Sequence, residues 1–172
     1  MAWKWIAAAL VSAGMAVGGY NFVSAENPLR QSLAEDPVGK RASIYAYHQY
    51  GVNPSSIVFD IWDLPYDASA ADVTRFLFDY AASVRERRFD KVYFAYHGKA
   101  KFVMSGVDFR ELGDERNFGQ NPLFLSRTLP EKLRLPDGRA AYDTWTGGLL
   151  GVSMKQMQDF IDMHRKWYLD DM

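Results

Sequence analysis

The stretch from Ser56 to Gly106 limits the fold more than any other part of the chain. Ser56 to Leu64 (SIVFDIWDL) opens with branched and aromatic residues, which suit a pleated, buried surface. Ile57, Phe59 and Ile61 fall on one face and Val58, Asp60 and Trp62 on the other. Both faces are largely apolar, so the spacing predicts a central strand covered on both sides. Pro65 ends it, having no N–H to give a ladder. Ser69-Ala-Ala-Asp72 then reads as a capping box. Behind it Val73, Phe76, Leu77, Tyr80, Ala81 and Val84 recur at helical spacing, and Arg85, Arg87 and Arg88 close that helix. Lys91 to His97 reads as the next strand. Strand, helix and strand on short connections make a crossover and a parallel pair. Gly98 and Lys99 turn the chain, and Lys101 to Ser105 returns antiparallel. The expectation is a small mixed α/β sheet flanked by helices, an α+β arrangement being the other outcome.

Ahead of this unit lies a segment with an address. Positions 5 to 25 carry no charge, after Lys4 and the terminal amine. Trp5 to Val17 is apolar and alanine-rich, and Val23-Ser-Ala25 offers the small residues a signal peptidase needs. Residues 1–25 therefore read as a secretory signal cut after Ala25, or as an uncleaved anchor in which residues 5–23 lie in the membrane. Either way the domain faces the periplasm or the outer side of the inner membrane, because the positive end stays inside. Residues 26–41, with Pro28, Pro37 and Gly39, read as a lead-in or linker, and residues 42–172 as one α/β domain.

Without residues 1–25 the chain keeps 147 residues and a net charge of −2. That length supports a single core. Near-neutrality removes any global attraction to nucleic acid. The chain has no cysteine, which excludes disulfides, thiolate metal sites and thiol nucleophiles.

Outside the central unit the signals are local. Ala42 to Tyr50 (ASIYAYHQY) alternates like a strand, yet it is read as a helix, because a helix must cover the second sheet face. Asp108 to Leu112 reads as a short helix closed by Gly113. Asn121-Pro122 starts a helix through Leu129. Ser153 to Gln156 reads as a capping box for a last helix ending near Leu169. Its Met157, Phe160, Ile161, His164, Trp167 and Tyr168 are expected to face the core.

No motif commits the chain to a chemistry. The sharpest pair is Asp60 and His97, each near the carboxyl end of a strand in the expected parallel pair, where ligands gather in open α/β sheets. A carboxylate orienting an imidazole begins general base catalysis. Lys99 and Lys101, on a hairpin tip, offer cations to an anionic ligand. Trp145, Gly147 and Gly148 form a loop that lets a backbone approach a ligand. His48, His97 and His164 lack metal-ligand spacing, so the reading calls for no metal and no cofactor. The leading expectation is an exported, envelope-associated binding or assembly module for a protein partner or small ligand, without nucleic acid. The alternatives are a small periplasmic hydrolase using Asp60 and His97, and a membrane-anchored structural subunit of an envelope complex.

Overall fold

The computed structural model describes residues 2–172; Met1, whose amine shares the positive end read from the sequence, lies outside them. Five strands form one mixed sheet in the order β1-β2-β3-β4-β5: Ser43–Gln49, Asn53–Asp63, Lys91–Tyr96, Lys99–Ser105 and Leu133–Arg134. β2 and β3 run parallel, with Phe59 opposite Phe94, and every other pairing is antiparallel. Six α-helices accompany the sheet: α1 Ala2–Asn21, α2 Asn27–Ala34, α3 Ala70–Ser83, α4 Gly106–Asn117, α5 Pro122–Thr128 and α6 Leu149–Trp167. The fold is the expected α/β arrangement, with α3 as the crossover between β2 and β3.

The capping box at Ser69 forms: its Oγ accepts the Asp72 N–H at 3.2 Å and its own N–H reaches Asp72 Oδ2 at 2.9 Å. Asn121 caps α5 by accepting the Leu123 N–H at 2.9 Å. The core forms on one face of the sheet. Ile57, Phe59, Ile61, Val92, Phe94, Phe102 and Met104 point into it, against Phe76, Leu77 and Tyr80 of α3 and Met163 and Trp167 of α6. Phe59 touches both helices, with ring centroids 5.8 Å from Tyr80 and 5.9 Å from Trp167. Trp167 also donates its indole N–H to the Ala95 carbonyl at 3.0 Å, so burying it leaves no unpaired donor.

Several expectations are corrected. Residues 43–49 are an edge strand, not a helix, because Ile44 and Ala46 join the core and His48 is buried on the same side, in alternation, while Tyr45 and Tyr47 point away. The second sheet face therefore receives no covering helix from this stretch. Residues 26–41 are not a linker: Leu29 and Leu33 of α2 are buried in the core beside α3. α3 ends at Ser83, before the arginines. α4 continues past Gly113, which lets α3 and α4 meet closely, since a Cβ there would lie 2.4 Å from the Ala81 carbonyl oxygen. α6 starts four residues ahead of Ser153, so no capping box forms there, and Ile161 faces solvent while Met163 takes the core position.

The N-terminal segment is continuous with the domain. α1 leads without a break into one π-helical turn, Phe22–Glu26, and then into α2. Ser24 and Ala25 are buried in the domain. Asn21 Oδ1 accepts the His48 N–H at 2.8 Å and Glu26 Oε2 accepts the Ala46 N–H at 2.9 Å. These are outward-facing ladder groups of the edge strand β1, so the end of the helix occupies an edge that would otherwise pair with another chain. The boundary after Ala25 thus falls within packed structure, because a buried Ala25 and a bonded Ser24 belong to the core's own closure. Beyond Asn21, α1 projects with Trp3, Trp5, Ile6, Met15 and Tyr20 exposed. No helix among the described residues is long and apolar enough to cross a membrane.

Candidate functional site

The sheet face opposite the core carries Tyr45 and Tyr47 of β1, Val58, Asp60 and Trp62 of β2, Tyr93 and Ala95 of β3, and Val103 of β4. The register aligns them: Tyr45 pairs with Asp60, Tyr47 with Val58, Val58 with Tyr93 and Tyr93 with Val103. The helices lie on the other face, so aromatic side chains themselves cover this one. Tyr45 and Trp62 stay 39% and 46% exposed, and Tyr47 and Tyr93 are half-buried.

Asp60 sits in the middle of this face and is fully buried. Tyr47 Oη and Trp62 Nε1 each donate to its Oδ2 at 2.8 Å, and the Gly98 N–H reaches both oxygens at 3.0 Å. Three neutral donors hold the carboxylate, and among the described residues no cation forms an ion pair with it. Burial, then the Asp60 carboxylate, raises the Tyr47 phenol above its usual range, so it remains a donor at ordinary pH.

Beside Asp60 the face opens into a groove of about 540 Å³, lined by Tyr45, Tyr47, Asp60 and Trp62 of the sheet and by Asn21, Phe22 and Glu26 of the N-terminal helix. Tyr45 and Trp62 stand perpendicular, at an interplanar angle of 89° and a centroid distance of 6.3 Å. They form two walls of the groove.

The structure places the expected pair, Asp60 and His97, at neighbouring strand ends without joining them. Asp60 spends its oxygens on Tyr47, Trp62 and Gly98. His97 is exposed, with φ 48°, and Gly98 follows at φ 76°; together they form the two-residue turn between β3 and β4. The imidazole lies over Trp62 at 5.0 Å and meets Tyr96 edge-on at 4.4 Å. Trp62 thus touches both members of the pair. The hydrogen bond that general base catalysis would require of Asp60 is absent.

The other candidates lie apart. Lys101 is ion-paired with Asp171, past the end of α6. Lys99 is exposed on the turn. Trp145 donates its indole N–H to Asp159 at 2.6 Å, and Lys155 Nζ lies 3.9 Å above its ring. Gly147 takes φ 130° and Gly148 precedes α6. The 19 residues of α6 put roughly 28 Å between its two ends, with Gly148 before one and Asp171, the partner of Lys101, past the other.

The histidines are equally dispersed. His164 is buried, 2.9 Å from Thr74 Oγ1 and 3.0 Å from Tyr168 Oη, and burial pushes its pKa down to about 3. Thr74 donates its own proton to the Ala70 carbonyl, so the imidazole donates from Nε2 and accepts from Tyr168 at Nδ1. His48 is buried against Ser24 on the N-terminal side, and burial lowers its pKa as well.

Reading residues 42–50 as a helix hid Tyr45 and Tyr47, which only a strand can set side by side with Asp60. The alternation of Ile44, Ala46 and His48 with two tyrosines was the signal for them. Nothing local marks Asn21, Phe22 or Glu26 as groove residues. No protein-family model matches the chain, and no curated protein or solved structure matches it.

Proposed function

We propose that the protein is an envelope-associated binding module, exported and held at the membrane by its N-terminal helix, with the open sheet face and its groove as the binding surface. One observation carries this reading: the sheet is clothed by helices on a single face, and the other presents Tyr45, Tyr47, Trp62 and Tyr93 around a groove. Half-exposed aromatic rings keep apolar area in water that a ligand removes. α1 supports the location. Its exposed Trp3, Trp5, Ile6 and Met15 suit a helix that lies in the headgroup region of a bilayer. Phe22 at the base of that helix lines the groove, so the binding surface adjoins the attachment point.

A ligand-observed NMR screen of small molecules on the full chain in detergent tests the reading. The expected result is a set of ligands whose signals respond to the wild type and to Phe118→Ser, on the remote α4 end, but not to Trp62→Ala or Tyr45→Leu. Ligands indifferent to both groove substitutions, or no ligands at all, would overturn it.

A further inference from the structure

The groove combines three features whose joint chemistry is narrower than binding in general. Its walls include two aromatic rings, Tyr45 and Trp62, set perpendicular to each other. Its floor holds a buried carboxylate, Asp60, with no cation paired to it among the described residues. Its polar atoms already have partners within the fold. The Asp60 oxygens are taken by Tyr47, Trp62 and Gly98. The Glu26 oxygens are taken by the Ala46 N–H and by Arg30, whose Nε is 2.8 Å away. Asn21 is spent on the His48 N–H and the Gly51 carbonyl.

Negative potential and π faces both favour a cation. A primary ammonium also brings N–H donors that need acceptors, and leaving these unpaired in an apolar groove is unfavourable. The oxygens of Asp60, Glu26 and Asn21 each already accept from the fold, and Asp60 is fully buried, so those donors would have to share oxygens that are already engaged. A fully alkylated ammonium carries the same charge, needs no acceptor and offers methyl groups to the rings. We infer that the groove binds a small quaternary ammonium solute, with Trp62 and Tyr45 against its methyl groups and Asp60 supplying the potential. This rests on the groove being the binding surface.

Isothermal titration of the full chain with tetramethylammonium and with choline tests it. Comparators are ethanolamine and the neutral carbon isostere of choline, in which a tert-butyl group replaces trimethylammonium. Both quaternary cations are expected to bind, about tenfold or more tighter than either comparator. Trp62→Ala and Tyr45→Leu should each weaken binding about fivefold or more, with the fold checked by circular dichroism. Asp60→Asn should weaken the cations and leave the neutral isostere unchanged. Tyr45→Leu, a half-exposed position, keeps the test decisive if Asp60→Asn does not fold.

Equal binding of choline and its neutral isostere, both lost in Trp62→Ala, would overturn the inference while leaving the groove as a binding surface. Absence of cation binding while screened neutral ligands still respond to Trp62→Ala would do the same. Cation binding indifferent to Trp62→Ala and Tyr45→Leu would overturn the inference, and screened ligands equally indifferent would take the groove reading with it. Binding to choline headgroups in vesicles, without binding of free choline, would also overturn it.

Discussion

Ser24 and His48 meet inside the fold, the serine Oγ 2.7 Å from the imidazole Nε2. Ser24 gives its own proton to the Tyr20 carbonyl at 2.5 Å, so it accepts the Nε2–H of a neutral His48. Tyr20 then stacks on the imidazole at 5.1 Å. A residue of the expected signal-peptidase site is thus the partner of a buried polar group in the domain. Ser24→Ala should lower stability by about 1–3 kcal/mol, because it strands that donor. Deleting residues 1–25 should lower it further, since Ala25 and the Asn21 contact with β1 go too. Urea unfolding of the three proteins checks this. A protein starting at Glu26 that is as stable as the full chain would show that the segment is dispensable.

Asp60 carries the open face as His48 carries the edge. Asp60→Ala strands the Tyr47 hydroxyl, the Trp62 indole N–H and the Gly98 N–H together. A loss of about 1–3 kcal/mol in denaturant unfolding is expected, since the three bonds are part-buried and end on a fully buried carboxylate. A loss below about 1 kcal/mol would mean that water replaces the carboxylate freely.

His97 occupies a left-handed position in a two-residue turn, where Asn or Gly is the favoured residue. His97→Asn is therefore expected to leave stability within about 1 kcal/mol of wild type, the better turn residue offsetting the lost packing on Trp62. A drop of about 2 kcal/mol or more, measured by thermal unfolding, would assign His97 a structural bond that its turn position does not supply.

His164 sets an acid limit. Its folded pKa is pushed from 6.5 to about 3 by burial. Below about pH 6.5 the unfolded chain takes up a proton that the folded chain refuses. Stability is therefore full above that pH and falls as the pH drops toward 3, by up to about 1.4 kcal/mol per unit. At about pH 5 the loss from this group is about 2 kcal/mol. Buried His48 acts in the same direction. Urea midpoints at about pH 7.5 and about pH 5 should differ more in wild type than in His164→Gln, which cannot titrate. Equal differences would show that His164 is not responsible.

Gly113→Ala reverses the usual helix rule. In an exposed helix the change stabilises by about 1 kcal/mol. Here the added Cβ meets the Ala81 carbonyl at 2.4 Å, so α4 must move off α3. A net loss of about 1–3 kcal/mol is expected in chemical unfolding, and a gain would show that the helices separate at little cost.

The central unit was legible because its information is local. Alternation over Ile57, Phe59 and Ile61, the Ser69 cap and the glycine after His97 each specify backbone over a few residues, and β2, α3, β3 and β4 followed. The buried place of His164 was legible for the same reason: its neighbours on one helical stripe are apolar. What lay beyond the sequence depends on groups far apart in the chain. The edge strand β1 needs Asn21 and Glu26 to satisfy its outward N–H groups, and no periodicity couples positions 21 and 48. The open face needs the knowledge that α2, α3 and α6 all pack on one side, a choice made when the aromatic core around Phe59 and Trp167 closes. Asp60 read as the carboxylate that orients His97 because strand ends attract ligands. Tertiary structure gave its oxygens to Tyr47, Trp62 and Gly98, since a carboxylate buried by folding must be met by the donors that folding brings to it.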